Sequence, residues 1–336
     1  MQRKIDIHTH MMPAKMPNWT QKFGYGNFIH LEHTGCKACM YQGHQKFREV
    51  NPNCFDHKVR LDEMQEQAVD VQVLSTIPVL FNYWANAKDG AETSRFFNDH
   101  LAGIVTEAPQ KFVALGTVPL QDIDLAIREL ERCVLDLGMP GVEIGTNING
   151  INLNDQRFHP FYEAADELGC SIFVHPWDMM GNDQLSQYWL PWLVGMPAET
   201  TRAICSLIFG GIFESFPKIR WCFAHGGGSF AYTLGRIQHG FEVRPDLVAI
   251  HNPLPPTHYL NKFWVDSLVH DPSALSLLTE KVGYEKICLG TDYPFPLGEL
   301  TPGELIQNSI FSNELKESML WYNALNWLNI TDKQFI

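Results

Sequence analysis

The sequence predicts an α/β protein built as a closed, TIM-like (β/α)8 barrel with a small lobe inserted after the first strand. Three observations predict it. Hydrophobic runs without strict alternation recur along the chain, as parallel strands buried on both faces require. Segments of helical spacing separate them. Four of the runs end on a histidine or an aspartate, and the C-terminal ends of barrel strands are where this fold keeps its chemistry.

The opening strand is Ile5-Asp6-Ile7-His8-Thr9-His10. Alternate side chains of a strand share a face, so His8 and His10 point the same way and can grip one cation. Alone, two such histidines are more often incidental; their weight comes from repetition further on. The stretch from Pro13 to Cys54 is rich in Gly, Pro, Asn and His and lacks helical periodicity. It reads as an inserted lobe, 13–54, of hairpins and loops at the mouth of one barrel spanning 1–336.

Helical spacing appears from Val59 to Gln67, with Arg60, Glu63 and Gln67 set against Leu61, Met64 and Ala68. Val69 to Ile77 is strand-like and ends at Pro78. Then follow a helix from Thr93 to Glu107, a strand from Phe112 to Val118, a helix from Ile123 to Leu137, a strand from Gly141 to Thr146 and a helix from Phe158 to Leu168. The strand Ser171 to His175 is followed by a helix from Ala198 to Glu214, and the strand Ile219 to His225 by a helix from Phe230 to His239. A strand from Phe263 to Ser267, a helix from Pro272 to Lys281 and a strand from Ile287 to Thr291 complete eight strands, and helices within Leu305 to Ile330 cap them. Eight strands alternating with helices favour closure over an open sheet.

The 336 residues exceed a bare barrel of about 250, which leaves room for the lobe. With 25 basic and 38 acidic residues the formal charge is −13, which argues against nucleic acid and anionic membranes as partners. An anionic substrate would then need local arginines. The eight cysteines are scattered, several inside apolar runs (Cys205, Cys222, Cys288), the usage of reduced thiols in a cytoplasmic protein. The longest apolar stretch, Ala203 to Phe213, is about half a membrane span, and no signal-peptide pattern precedes the first strand.

His8, His10, His175 and Asp292 make a nitrogen and oxygen set suited to one divalent metal, zinc first, with manganese, iron or cobalt as substitutes. A cation there lowers the pKa of water toward about 7. His225 precedes Gly226-Gly227-Gly228, where the backbone can turn sharply. It is a candidate general acid/base; a strand-end histidine bonded to a neighbouring carbonyl is an equal reading. Arg48, in the lobe, and Arg236, after the glycine turn, are the nominated carboxylate partners, although a surface role is the commoner one for any single arginine.

Weaker signals carry less. Cys36-Lys37-Ala38-Cys39 with His30 and His33 fits no standard zinc-finger spacing. Tyr188-Trp189-Leu190-Pro191-Trp192 lines a pocket or packs a core. The sequon at Asn329 has no meaning in a cytoplasmic chain.

His8-Thr9-His10, His175-Pro176-Trp177-Asp178-Met179, the long run from Trp189 to Thr200, His225-Gly226-Gly227-Gly228 and Gly290-Thr291-Asp292-Tyr293-Pro294-Phe295-Pro296 resemble the 2-amino-3-carboxymuconate-6-semialdehyde decarboxylase family of the amidohydrolase superfamily. The likeness runs nearly end to end, and the tryptophan-rich run is its most specific part. It implies a distorted barrel with one divalent metal and a non-oxidative decarboxylation in tryptophan and kynurenine catabolism. It further implies that His8, His10, His175 and Asp292 bind the metal and that His225 is the acid/base. Arg48 and the partner subunit's Arg236 would hold the carboxylates of a small dicarboxylate in a homodimer with a shared active site, with Trp192 and Phe295 lining the pocket. The rival readings are a resorcylate-type hydroxybenzoate decarboxylase and a metal-dependent hydrolase of the same superfamily.

Overall fold

The strand β1 (Ile5–His10) is buried along its whole length, and it starts a ring of parallel strands. The structure, a computed structural model, describes residues 2–181 and 183–335. The lobe supplies β2 (Ile29–Thr34), β3 (Lys37–Gln42) and β4 (Gln45–Val50), and the barrel resumes with β5 (Val71–Ser75), β6 (Phe112–Ala114), β7 (Gly116–Thr117) and β8 (Gly141–Gly145). After a short antiparallel ribbon, β9 (Asn147–Ile148) with β10 (Ile151–Asn152), come β11 (Ser171–His175), β12 (Arg220–Phe223), β13 (Trp264–Asp266) and β14 (Ile287–Cys288).

The pairing order is β1-β5-β6 and β7-β8-β11-β12-β13-β14. Leu115 joins the two sets, since β6 and β7 are halves of one strand and Leu115 N still donates to Leu74 O at 2.9 Å. The ring closes where Ile7 N donates to Leu289 O at 2.9 Å and His10 N to Tyr293 O at 2.8 Å. β14 is shorter than the expected Ile287 to Thr291 because closure beyond Cys288 runs through these isolated bonds and the Thr9–Tyr293 bridge. The β1–β5 register shifts between Asp6 and Thr9, a bulge that re-aims side chains beside the histidines.

Helix bounds differ from expectation in instructive ways. The helix Ala87–Glu107 starts a turn and a half before Thr93. The helix Met196–Phe209 stops short of Glu214 because Gly211 takes φ 71°, a conformation that ends a right-handed helix; the chain restarts as Ile212–Ser215. In His57–Glu66 the expected polar-face Arg60 is fully buried beside Met64.

The C-terminal helical pieces, among them Ser318–Tyr322 and Asn323–Leu328, cover the N-terminal end of the ring. Trp321, Trp327 and Leu328 pack on Ile5, Val71, Phe173 and Cys222. Trp327 O accepts from Ser171 Oγ at 2.7 Å and Arg220 Nε at 2.6 Å, at the first residues of β11 and β12. In the lobe, the antiparallel sheet β2-β3-β4 lays Ile29, Ala38, Met40 and Val50 on Met12, Ile77, Leu80 and Phe97. Cys36 is exposed in its first turn, and among the described residues neither it nor Cys39 belongs to a group able to hold a metal.

Candidate metal centre and active site

β1 delivers His8 and His10, β11 ends on His175, and the segment after β14 carries Asp292. One ligand atom from each lies within 4.8 Å of the others, and all four residues are buried. Each ring is oriented through Nδ1: His8 to Asp266 Oδ2 at 2.7 Å, His10 to Thr76 O at 3.0 Å and His175 to Pro176 O at 3.0 Å. With Nδ1 donating, each Nε2 keeps its lone pair. His8 Nε2 and His10 Nε2 are 3.2 Å apart, and Asp292 Oδ1 is 3.5 Å from the first and 3.0 Å from the second. His175 Nε2 is buried with no hydrogen-bond partner. Three lone pairs and a carboxylate converging without donors fit a divalent cation.

The charges agree. Burial pushes the Asp292 carboxyl up, but the close approach of His10 Nε2 and the His8, His10 and His225 rings outweigh it and hold it at about 2. Burial and the neighbouring imidazoles hold His175 well below the usual histidine range, and burial lowers His10. His8 is desolvated too, yet its bond to Asp266 and the charge of Asp292 raise it. Neutral His10 and His175 beside an ionised Asp292 are protonation states that a cation site needs, and a proton drawn onto His8 by its carboxylate neighbours would leave as a cation binds.

His225 stands beside this set. Its ring centroid is 5.2 Å from that of His8 and 5.1 Å from that of His175, and its Nε2 is 4.0 Å from Asp292 Oδ2. Its Nδ1 is buried and unpartnered, so no neighbouring carbonyl holds the ring. Burial and the His8 ring bring it down to about 4. Both His225 (φ 56°) and Asp292 (φ 59°) are left-handed, worth about 1–3 kcal/mol of strain each and typical of functional positions. Asp266 holds the turn by accepting from His225 N and Gly226 N, each at 2.8 Å. Gly228 is required there: a Cβ would come 2.3 Å from Pro197 O.

Arg48, on β4, reaches over the mouth. Its guanidinium lies 4.7 Å from the Phe295 ring centroid and 5.8 Å from that of Trp192, and among the described residues it has no carboxylate partner. Burial lowers it, against the pull of Asp292. His10, His175, Asp292, Arg48, Trp192 and Phe295 line one cavity of about 30 Å³, room for one or two waters. A hollow of about 300 Å³ beside His225 and one of about 630 Å³ beside Arg48 adjoin it. Arg236 is exposed on the helix Phe230–Val243 and is not among the residues lining these three spaces.

Sequence reasoning missed four buried groups. Asp266 ends Trp264–Asp266, so the strand-end pattern was available to find it. Asp6 accepts from His8 N at 3.2 Å, Thr291 N at 3.1 Å and Thr291 Oγ1 at 2.5 Å, tying β1 to the Asp292 segment; burial pushes its carboxyl up to about 7 against these bonds. Arg60 donates to His10 O, to Asn53 O at 2.9 Å and to Thr9 Oγ1 at 3.3 Å, joining the lobe to the end of β1. Glu143, inside β8 and 3.9 Å from His10 Nδ1, is driven well above the usual carboxylate range by burial. No local signal marks the last three.

Comparison with known proteins adds independent findings. The family described as amidohydrolase matches residues 5–330. The chain is 51% identical to 2-amino-3-carboxymuconate-6-semialdehyde decarboxylase of Dictyostelium discoideum, over 99% of this chain and 93% of that protein. It is 40% identical to the protein of that name from Caenorhabditis elegans, over 98% and 95%. Among solved structures, 5-carboxyvanillate decarboxylase from Sphingomonas paucimobilis superposes with a TM-score of 0.84 at 22% identity, covering 98% of this chain and all of that one, which shows the fold. A dihydroxybenzoic acid decarboxylase from Polaromonas, with bound manganese and 2-nitroresorcinol, has a TM-score of 0.76 at 21% identity, covering 98% and 97%.

Proposed function

The chain belongs to the amidohydrolase family, and from that premise we propose that it is the carboxy-lyase that converts 2-amino-3-carboxymuconate-6-semialdehyde to 2-aminomuconate-6-semialdehyde and carbon dioxide, in tryptophan and kynurenine catabolism. The observation that carries it is a guanidinium without a carboxylate partner in one cavity with a donor set fit for a cation. The working unit is one barrel over 1–336, with the lobe 13–54 as the wall that brings Arg48 to the mouth.

His8, His10, His175 and Asp292 would hold one divalent ion, zinc by preference for an imidazole-rich set. When bound, it supplies Lewis acidity and makes a proton of water available near neutral pH. Arg48 pairs with a substrate carboxylate in a bidentate fork, and the Phe295 face backs its guanidinium. A cavity of about 30 Å³ has room for a water or two but not for the substrate, so Arg48, Trp192 and Phe295 shift on binding. His225, neutral at rest, takes up a proton from water at Nε2 and gives it to the carbon that loses its carboxylate. The electron pair of the broken C–C bond stays on that carbon, the proton takes the place of the carboxylate, and nothing is oxidised or reduced.

An acidic protein that binds a dicarboxylate needs a second cation. Arg236 serves the site of a second copy in a homodimer. In support, Tyr232, Val243, Leu247 and Ile250 near it are exposed apolar residues, as are Leu193 and Val194. The eight cysteines are free, in keeping with the cytoplasm, and among the described residues no helix is long and apolar enough to cross a membrane.

The reaction is tested by generating the semialdehyde from 3-hydroxyanthranilate with its dioxygenase and following absorbance decay and carbon dioxide release. Acceleration by zinc-loaded but not by chelated enzyme is expected; no acceleration with metal bound overturns the reading. Mixing Arg48→Ala with Arg236→Ala tests the shared site. Each hybrid dimer keeps one intact site, so about a quarter of wild-type activity returns, whereas no return refutes sharing.

A further inference from the structure

The segment after β11 has two duties. His175 Nδ1 donates to the Pro176 carbonyl at 3.0 Å, and Trp177 forms part of the cavity wall. Yet 176–181 contains neither strand nor helix, and Asp178 is left-handed with φ 53°. Its placement depends on bonds from outside. Asn147 Nδ2 donates to Trp177 O at 3.1 Å and Asp178 O at 3.2 Å, and Met180 N donates to Glu199 Oε1 at 2.6 Å.

Glu199 lies in the first turn of Met196–Phe209 with no exposed surface. Its other oxygen, Oε2, accepts from Arg202 Nη2 at 2.5 Å, Asn147 Nδ2 at 3.3 Å and Thr146 Oγ1 at 3.4 Å. One carboxylate thus joins the end of β8, the segment after β11 and the helix that follows the tryptophan-rich run. A buried charge is costly, and packing alone would be better served by an apolar residue. What a carboxylate alone provides is two acceptor oxygens, both used here; an amide would turn a donor against donors.

We propose that Glu199, together with Asn147, is a positioning clamp. By fixing the Pro176–Met180 segment it sets the His175 ring and the Trp177 indole, and through them metal retention and substrate binding, without touching either ligand. The inference rests on the reading above that His175 holds the metal. It also explains why a run rich in tryptophan ends in an acid that does not enter the cavity.

The test compares the metal-loaded Glu199→Gln enzyme with wild type by three readouts: zinc release to a chromogenic chelator, the separate KM and kcat, and the melting temperature. Release about tenfold faster is expected, as for other supports of metal ligands, with KM about tenfold higher. The change in kcat should be smaller, about threefold or less, because His225 and Asp292 come from other strands. Unchanged release and KM beside a lowered melting temperature would make Glu199 merely structural and overturn the proposal. Should Glu199→Gln not fold, Asn147→Ala must show the same direction in release and KM, and wild-type values there overturn it equally. Zinc release needs no substrate, so faster release from a protein that does not decarboxylate the muconate would sink only the reaction, whereas a wild-type chain that holds no divalent ion overturns both readings.

Discussion

The two ends of this barrel are built from the same eight strands and are chemically opposite. At the N-terminal end, Trp321 and Trp327 are buried on aliphatic and aromatic strand residues, and Trp327 exchanges main-chain and side-chain bonds with Ser171 and Arg220. At the C-terminal end the buried groups are imidazoles and carboxyls, the His175 and His225 rings each leave a nitrogen without a partner, and several non-glycine residues, His225, Asp292 and Asp178 among them, are left-handed. The difference teaches a division of labour. One end supplies apolar burial, so the other can hold desolvated charge and strained backbone that would otherwise unfold it.

Replacing His225 breaks or sharpens that comparison most. In His225→Asn, decarboxylation should fall about 10² to 10⁴-fold, the usual worth of a positioned proton donor. The melting temperature should hold or rise, because asparagine tolerates the left-handed backbone better than histidine. A melting temperature that drops in step with activity would mean that this end also carries stability. The converse change is Trp327→Ala, expected to cost about 3–5 kcal/mol by urea unfolding. Its initial rates, measured well below the midpoint, should match wild type per folded molecule; a loss of kcat there would erase the division.

How much of this was legible follows from where each signal lies. Strand-end grammar is local, so His8, His10, His175, His225 and Asp292 could be nominated from runs of five or six residues, and the eight strands from the same runs. Asp266 obeys that grammar, but a strand read as Phe263 to Ser267 ends on a serine and so hides it. Arg60 was unreadable in principle. Its helix spacing places it with polar residues, and only the convergence of Asn53, Thr9 and His10 from distant segments buries it. Glu199 is similar, since its partners lie on three elements. Strand bounds failed where closure depends on single bonds rather than ladders, as at β14.

Asp266 offers the finest cut, because it belongs to a strand core yet serves the site. Oδ2 accepts from His8 Nδ1 and His225 N, and Oδ1 from Gly226 N and, at 3.1 Å, Leu268 N. In Asp266→Asn one oxygen becomes an amide donor, and either orientation meets donors. If the amide faces His8, the imidazole can answer only by moving its proton to Nε2, which removes the lone pair turned toward His10 and Asp292. If it faces Gly226 and Leu268, those main-chain groups cannot change, and the turn that places His225 loosens. Zinc affinity should therefore fall about 10 to 100-fold, read by competition with a chelator, while nitrogen NMR of the histidines reports which orientation is taken. A melting temperature that barely moves would sharpen the comparison, placing even this strand residue with the functional end. Unaltered zinc affinity with a clear loss of stability would instead assign Asp266 to the scaffold and move the boundary between the two ends up to the histidines themselves.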